Sequence, residues 1–560
     1  MQLNQLKTNY QIKEIPFNVY PRPSLKRENF TNLNGIWDFE VVKKGKTVYG
    51  GNILVPFAPE SALSNVKRIT KKGEILVYKR TINVQNTSNL TILHFGAVDC
   101  ICSVYVNGNF VCKNENGYLP FSADITKFIT VGENQLKVEV VDSLNKNYPY
   151  GKQTNKRGGM WYTPISGIWQ TVWLENVPKN YIKKLKITPT LNSVKIEVFG
   201  GEKIKTLTLE GVDYEFEDAL TISIKNPKLW TPETPNLYNF TIVSGEDKIE
   251  SYFALREVGF NEKGLTLNGK NYFFNGVLDQ GYFPDGIYLP PNEQGFIDDI
   301  KNMKELGFNM LRKHIKIEPE IFYYYCDKIG MAVFQDFVNN GKYSFVADTA
   351  LPTIGFKKFK LGLPTKKQKE IFLEVSSKTV KQLYNFPCVV YYTIFNEGWG
   401  QHNATEIYKV FKKLDSTRVY DTASGWFNNC ESDVKSEHVY FKKINIKSDG
   451  KKPLVLSEFG GYTYKINEHS FNLYKTYGYK KCTNDTFMLD LESLYIDQVI
   501  PCILKEKLCA LVLTQLSDVE DETNGLYTYD RKVLKVDKEK MLEISNKIYN
   551  AYNSAINKKN

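Results

Sequence analysis

The sequence predicts a multidomain protein: a jelly-roll-like β-sandwich, a smaller immunoglobulin-like β-sandwich, and a C-terminal (β/α)8 barrel. Three observations carry this expectation. At 560 residues the chain is too long for one ordinary core. Before Arg256, apolar residues alternate or fall in short runs separated by Gly, Asn and Pro. After Arg256, strand-like runs alternate with helical ones. The expected domains are residues 1–180, 181–256 and 257–560.

The first domain reads as short strands such as GIWDFEVV, ILVYKRTINV and NQLKVEVVD. Asn107-Gly108, between SVYV and NFVC, is a hairpin signal because both residues tolerate positive φ. The stretch 145–167 is rich in Gly, Tyr and Trp without periodicity, as functional loops often are. The second domain repeats polar-apolar alternation (SVKIEVFG, KIKTLTLEG) and carries few reactive groups, so a spacer role is expected.

In the third domain eight strand-like runs fall at 272–278, 308–313, 331–337, 389–397, 418–425, 436–440, 453–459 and 509–516. Helical periodicity fills several gaps; in EQGFIDDIKNMKELG, Phe296, Ile300, Met303 and Leu306 recur at three- and four-residue steps. Eight such units in about 290 residues match a closed barrel. A doubly wound sheet is disfavoured because no glycine-rich phosphate loop follows the first strand.

Bulk composition excludes more than it identifies. The net charge of +11 comes from lysines spread along the chain, with no basic block interleaved with aromatics, so no nucleic-acid partner is expected. Nine cysteines, without metal-ligand spacing, read as reduced thiols in a cytoplasmic protein. The first residues contain no apolar signal-peptide core, and no apolar run reaches membrane-spanning length. The segment 550–560 reads as a solvated tail.

The chemistry is expected at two similar strand ends. YYTIFNEGWG ends an apolar run at Glu397, and KPLVLSEFGG ends another at Glu458. Barrel active sites lie at the C-terminal ends of the strands, so the two carboxylates are placed to face one pocket. A facing pair suits glycosidic bond cleavage, in which one carboxyl donates a proton while the other attacks or activates water. Other strand ends add polar or aromatic lining suited to a polyol: Asp279, Gln280, Arg312, Lys313, His314, Lys316, Asp336, Asn396, Trp426, His438, Tyr440, Gln515 and Asp518. His314 and His438 lack metal-binding spacing, so neither metal nor cofactor is expected.

These strings together resemble glycoside hydrolase family 2, which includes β-galactosidases, β-glucuronidases and β-mannosidases. The likeness spans about residues 15–545 and rests on NLNGIWDF, WYTPISGIWQTVWLE, GVLDQGYFPDG, FNMLRKHIKIEP, TIFNEGWGQ, DTASGW and LSEFGG. It implies a catalytic TIM barrel, a retaining double displacement and an oligomer. It also implies Glu397 as acid/base, Glu458 as nucleophile and Asn396 on the sugar 2-hydroxyl. Tyr440 would support the nucleophile, and Arg312 would lie beneath it.

Departures bear on substrate. Where many members have Ser-His-Tyr-Pro, this chain has His314-Ile315-Lys316-Ile317. The Asn-x-Lys pair of glucuronidases is reduced to Asn524, beside the acidic run Glu520–Glu522. The long region after the barrel of larger galactosidases is absent, which implies a compact form acting on small glycosides. The expectation is therefore a β-galactosidase. A β-glucuronidase or β-galacturonidase, with Lys316 or Lys313 gripping the carboxylate, is the alternative, and a noncatalytic carbohydrate-binding protein is the alternative of another class.

Overall fold

The structure, a computed structural model, describes residues 3–356 and 362–557. Two antiparallel sheets, of four and six strands, form the N-terminal sandwich. In its strand Gly35–Lys43, Trp37, Phe39 and Val41 point inward while the intervening residues face out, as a strand period of two requires. Their core partners include Tyr78, Val104 and Val138 from the same domain. Asn107 and Gly108 adopt φ +50° and +80° and turn strand Ile101–Val106 into Asn109–Glu115.

A second sandwich follows, with sheets of three and four strands around Ile187, Ile196, Leu207 and Phe240. Charge ties it to the first. Arg27 donates to Glu175 of the larger sandwich at 3.1 Å and to Asp247 of the smaller at 2.8 Å, with all three side chains buried. Removing one partner from such a cluster leaves uncompensated buried charge. Arg27→Ala is therefore expected to lower stability by about 3–5 kcal/mol, read as a shift in the denaturant midpoint. A change within error would mean that water replaces the ion pairs at this seam.

The third region is an eight-stranded parallel sheet curled into a near-closed barrel. Its strands are β1 Phe274–Asp279, β2 Met310–Lys313, β3 Ala332–Asp336, β4 Val389–Asn396, β5 Val419–Ser424, β6 Lys435–Val439, β7 Leu454–Gly460 and β8 Leu508–Thr514. All eight residues of β4 are buried, because helices cover one face and neighbouring strands fill the other. Ladders run from β5 through β4, β3, β2, β1, β8 and β7 to β6, while β5 and β6 do not pair. Among the described residues no helix connects β5 to β6 or β6 to β7.

The tail expectation needs correcting. Helix Lys538–Asn557 packs against the preceding helix Ile500–Glu506, with Tyr552 buried against Phe273 at 5.1 Å between ring centroids. Its apolar positions recur at helical spacing, which the Asn- and Lys-rich composition hides; residues 558–560 lie outside the described residues. Among the described residues, no helix is long and apolar enough to cross a membrane.

Candidate active site

The register of the barrel levels the functional residues at one mouth. Asn396 on β4 aligns with Ser424 on β5, and His438 on β6 aligns with Glu458 on β7. The ladder between β7 and β8 is irregular between Leu456 and Phe459. Such a bulge re-aims a side chain, here that of Glu458. Glu397 follows β4 in the left-handed region, φ +51°, an uncommon conformation for a residue with a Cβ.

The glycines after both glutamates have steric reasons. Gly398 has φ +73°, and a Cβ there would lie 2.2 Å from the Phe427 ring. Gly461 has φ +67°, and its Cβ would lie 2.3 Å from the ring of Tyr479. Tyr479 in turn stacks on Tyr440 at 3.9 Å. The second glycine of EFGG thus makes room for the ring that holds Tyr440 in place.

Glu458 is held from several sides. Arg312 Nη1 donates to its Oε1 at 3.0 Å, and the Tyr440 hydroxyl donates to its Oε2 at 2.5 Å. Arg312 is buried and spends its other donors on Asp336 at 3.0 Å, the Ser457 carbonyl at 2.8 Å and Asn396 Oδ1 at 2.9 Å. With its oxygen taken by Arg312, Asn396 has its amide NH2 left for a ligand. Burial opposes the charge on Glu458, but His438, Arg312 and His314 outweigh it and, with the Tyr440 hydrogen bond, hold the carboxyl down to about 2. It is a carboxylate throughout the physiological range.

His438 bridges the pair. Its Nδ1 lies 2.9 Å from Glu397 Oε1 and 3.6 Å from Glu458 Oε2, while Nε2 meets Ser424 Oγ at 2.9 Å. Two carboxylates on the Nδ1 side place the proton there. One oxygen of each glutamate and His438 Nδ1 all lie within 4.8 Å of one another. Such a trio has the makings of a cation site, but Arg312 and Tyr440 already occupy both oxygens of Glu458. The Glu397 side chain is 16% exposed against 6% for Glu458, so it is the one that solvent reaches more easily.

The remaining expected residues divide into three groups. His314 joins the mouth, with Nδ1 2.7 Å from Asp336 Oδ2; burial, reinforced by the nearby Lys152, lowers its pKa. Trp426 sits against His438 with ring centroids 6.4 Å apart. Asp279 and Lys316 belong instead to a buried ion network. Lys313 Nζ bonds Asp279 at 2.5 Å and Glu318 at 2.9 Å. Lys316 Nζ bonds Glu318 at 2.8 Å and the carbonyls of Gly281 and Tyr288 at 2.6 and 2.7 Å. Lys316 and Lys313 are both 1% exposed, so neither is placed to grip a sugar carboxylate. Gln280 and Gln515 are tied to each other at 3.1 Å, and Gln515 Nε2 also donates to Glu522 and Asn524, each at 2.7 Å.

The loop 145–167 supplies what single-strand reasoning missed. It reaches from the N-terminal sandwich across the barrel mouth. The Tyr150 hydroxyl donates to the Gly341 carbonyl at 2.8 Å, the Thr163 amide to Glu520 at 2.8 Å, and Trp161 packs on Trp399 at 5.3 Å. The Lys152 ammonium lies over the Trp161 ring at 5.7 Å, forms no hydrogen bond or ion pair with a described residue, and acts through its charge on both His314 and Glu522. Burial pushes Glu520 and Glu522 up to about 7, and Asp521 turns toward Arg157 and Asn472. Burial thus weakens the charge of Glu520 and Glu522, and Arg157 offsets that of Asp521.

Three family models match along the chain. "Glycosyl hydrolases family 2, sugar binding domain" covers residues 32–178, "Glycosyl hydrolases family 2" covers 179–256, and "Glycosyl hydrolases family 2, TIM barrel domain" covers 258–499. A β-galactosidase of Leuconostoc mesenteroides is 26% identical over 418 residues, 65% of this chain and 38% of that one. A β-galactosidase of Kluyveromyces lactis is 26% identical over 492 residues, 75% and 46%. The chain thus spans less than half the length of these curated relatives. Among solved structures, a β-D-glucuronidase from Dictyoglomus thermophilum superposes with TM-score 0.75 at 20% identity, over 94% of this chain and 98% of that one. A β-galacturonidase from Eisenbergiella tayi bound to galacturonate gives 0.69 at 18% identity, over 95% and 99%. At these identities the structural likeness speaks for the fold.

Proposed function

Because the chain belongs to glycoside hydrolase family 2, we propose that it is a retaining exo-β-glycosidase acting on β-uronides, glucuronide or galacturonide. The observation that carries the reaction is the spacing of the pair. One oxygen of Glu397 and one of Glu458 lie within 4.8 Å of each other, a proximity that fits the roughly 5–5.5 Å between the carboxyl groups of retaining enzymes better than the roughly 6.5–9.5 Å of inverting ones. Glu458, charged and fixed by Arg312 and Tyr440, attacks the anomeric carbon. Its C–O bond forms as the glycosidic bond breaks, and Glu397 gives its proton to the departing oxygen. Glu397 then takes a proton from water as that water displaces Glu458 from the sugar. The Asn396 amide donates to the 2-hydroxyl.

The glycone reading rests on other observations. The chain matches the uronide-acting structures over nearly their whole length. Lys152 offers at the mouth an ammonium that no described carboxylate pairs, and burial weakens the negative charge of Glu520 and Glu522. In this reading Lys152, not Lys316, meets the sugar carboxylate. A neutral β-galactoside is the second reading, favoured by the missing lysine after Asn524.

A panel of nitrophenyl β-D-glucuronide, β-D-galacturonide and β-D-galactoside separates the two readings. Turnover of a uronide, with kcat/KM falling at least ~30-fold in Lys152→Met and mainly through KM, is expected. Turnover of the galactoside alone overturns the uronide reading. Uronide turnover untouched by Lys152→Met overturns only the role of the lysine.

A further inference from the structure

The loop 145–167 and the barrel enclose a cavity of about 360 Å³, lined by the rings of Tyr150 and Trp161 from the loop and of Tyr343 from the barrel. All three rings pack on Trp399, at 5.2, 5.3 and 6.3 Å between centroids. Trp399 stands two residues after Glu397. Burial raises the pKa of the Tyr343 hydroxyl, and the charge of Glu397 adds to the shift. The cavity therefore borders the carboxyl that gives its proton to the departing oxygen.

That position decides what the cavity can receive. The nucleophile attacks the anomeric carbon from one face and the leaving group departs on the other, where the acid stands. Whatever hangs on the departing oxygen must lie past Glu397, on the side of Trp399 and Tyr343. The volume falls within the roughly 300–1,000 Å³ of small-molecule sites and admits one ring with a substituent. Trp161 and Tyr343 meet edge to face at 4.9 Å and are only half-buried, which leaves apolar surface for a ring to lie against.

The charge around that ring has one sign. Lys146 and Lys156 line the cavity, and no Asp or Glu does. The Lys146 ammonium lies over the Tyr150 ring at 5.6 Å and forms no hydrogen bond or ion pair with a described residue. The backbone that carries it is pinned to the barrel side, since its carbonyl accepts from the Gly341 amide at 2.8 Å and from Gln368 Nε2 at 3.2 Å. Behind the wall, Asp99 accepts from Gln153 Nε2 at 3.2 Å, but burial raises its pKa well above the usual carboxylate range, so it adds little negative charge. Two ammonium groups beside apolar ring faces, with no lining carboxylate, favour a ring that carries negative charge.

We propose that this cavity holds the aglycone and selects leaving groups built on a ring, aryl or sugar, that bears an anionic group, with Lys146 and Lys156 setting the preference. The proposal rests on the glycosidase reading above but not on the choice of glycone, because it makes no use of Lys152. A loop of the N-terminal sandwich thus sets the leaving-group specificity of a reaction whose two carboxylates belong to the barrel.

Pairs of glycosides that share a glycone and differ by one charge on the aglycone test this, with the glycone taken as the one turned over best from nitrophenol. One pair is the 4-(carboxymethyl)phenyl glycoside and its primary amide, whose phenols leave with nearly equal ease. The other is the same glycone β-linked to glucuronate or to glucose. The charged member is expected to lead in kcat/KM by about fivefold or more at low salt, and the ratio to fall toward one at about 0.5 M salt. In the double variant Lys146→Gln, Lys156→Gln the ratio should be near one at either salt. Both members are measured on one sample, so partial loss of folded protein leaves the ratio unchanged. A preference in the aryl pair alone identifies an acidic phenol as the aglycone, and in the disaccharide pair alone an acidic sugar. Equal rates in both pairs overturn the proposal and leave the glycosidase reading standing. A preference that survives the double variant overturns it too. No turnover of any glycoside overturns the glycosidase reading, and the proposal with it.

Discussion

Glu458→Gln is expected to lower turnover by roughly 10⁵–10⁶-fold, the scale at which removing a nucleophile leaves only binding and the rest of the site. The amide keeps the shape, and its oxygen still accepts from Arg312, so the barrel should fold. A glycoside carrying 2-fluoro and a good leaving group should add one glycosyl unit to wild-type protein on Glu458, found by peptide mass, and none to the variant. Label on Glu397 instead would reverse the two roles. The same substitution has a signature in stability. The folded pKa of Glu458, about 2, lies below its unfolded value near 4.5. Its charge therefore contributes stability that is fully present above about pH 4.5 and lost as pH falls toward 2. Wild-type melting temperature should drop through that window more steeply than that of the variant. Parallel curves would mean that Arg312 and His438 stabilise the carboxylate less than their geometry implies.

Much of the architecture is legible in the sequence, and the reason is physical. Most barrel strands are buried on both faces, so VVYYTIFN or LCALVLT stands out as an apolar run, and both lie within two residues of their expected bounds. The pairing of Glu397 with Glu458 is legible for a related reason, since both end such runs at the level where a barrel opens. Depth is what alternation cannot convey. Asp279, Lys313 and Lys316 follow strand ends just as His314 does, yet they turn into one ion network around Glu318 instead of the mouth. Which way they turn depends on the crossover after β2, whose residues 314–319 have no period to read. Gln515 is likewise consumed, by Gln280, Glu522 and Asn524. Contacts between distant segments were the other blind spot. Tyr479 stands in no motif, and it reaches Tyr440 only because Gly461 leaves a gap. Lys152 arrives from another domain on a loop that shows composition but no pattern.

Glu397→Ala is expected to divide substrates by leaving group. Loss of a general acid costs about 10²–10⁴-fold where the departing oxygen needs a proton, so kcat/KM for an alkyl or sugar aglycone should fall by that amount. For a dinitrophenyl glycoside, whose phenolate leaves unaided, kcat/KM should stay within about tenfold of wild type. The second half-reaction suffers in either case, because no base remains to activate water. With the activated substrate the glycosyl-enzyme should therefore accumulate, so that kcat and KM fall together after a burst of phenolate. Azide, a small anion that attacks without needing a base, should restore kcat in the space left by the side chain and yield a β-glycosyl azide. Equal losses on both classes of leaving group would remove Glu397 from the acid role. The geometry then offers His438, 3.6 Å from Glu458 and 2.9 Å from the vacated carboxylate, as a proton-bearing group between the two. His438→Phe in place of Glu397→Ala would tell the two apart. A positioning histidine loses rate on every substrate alike, whereas only the true acid gives the split by leaving group.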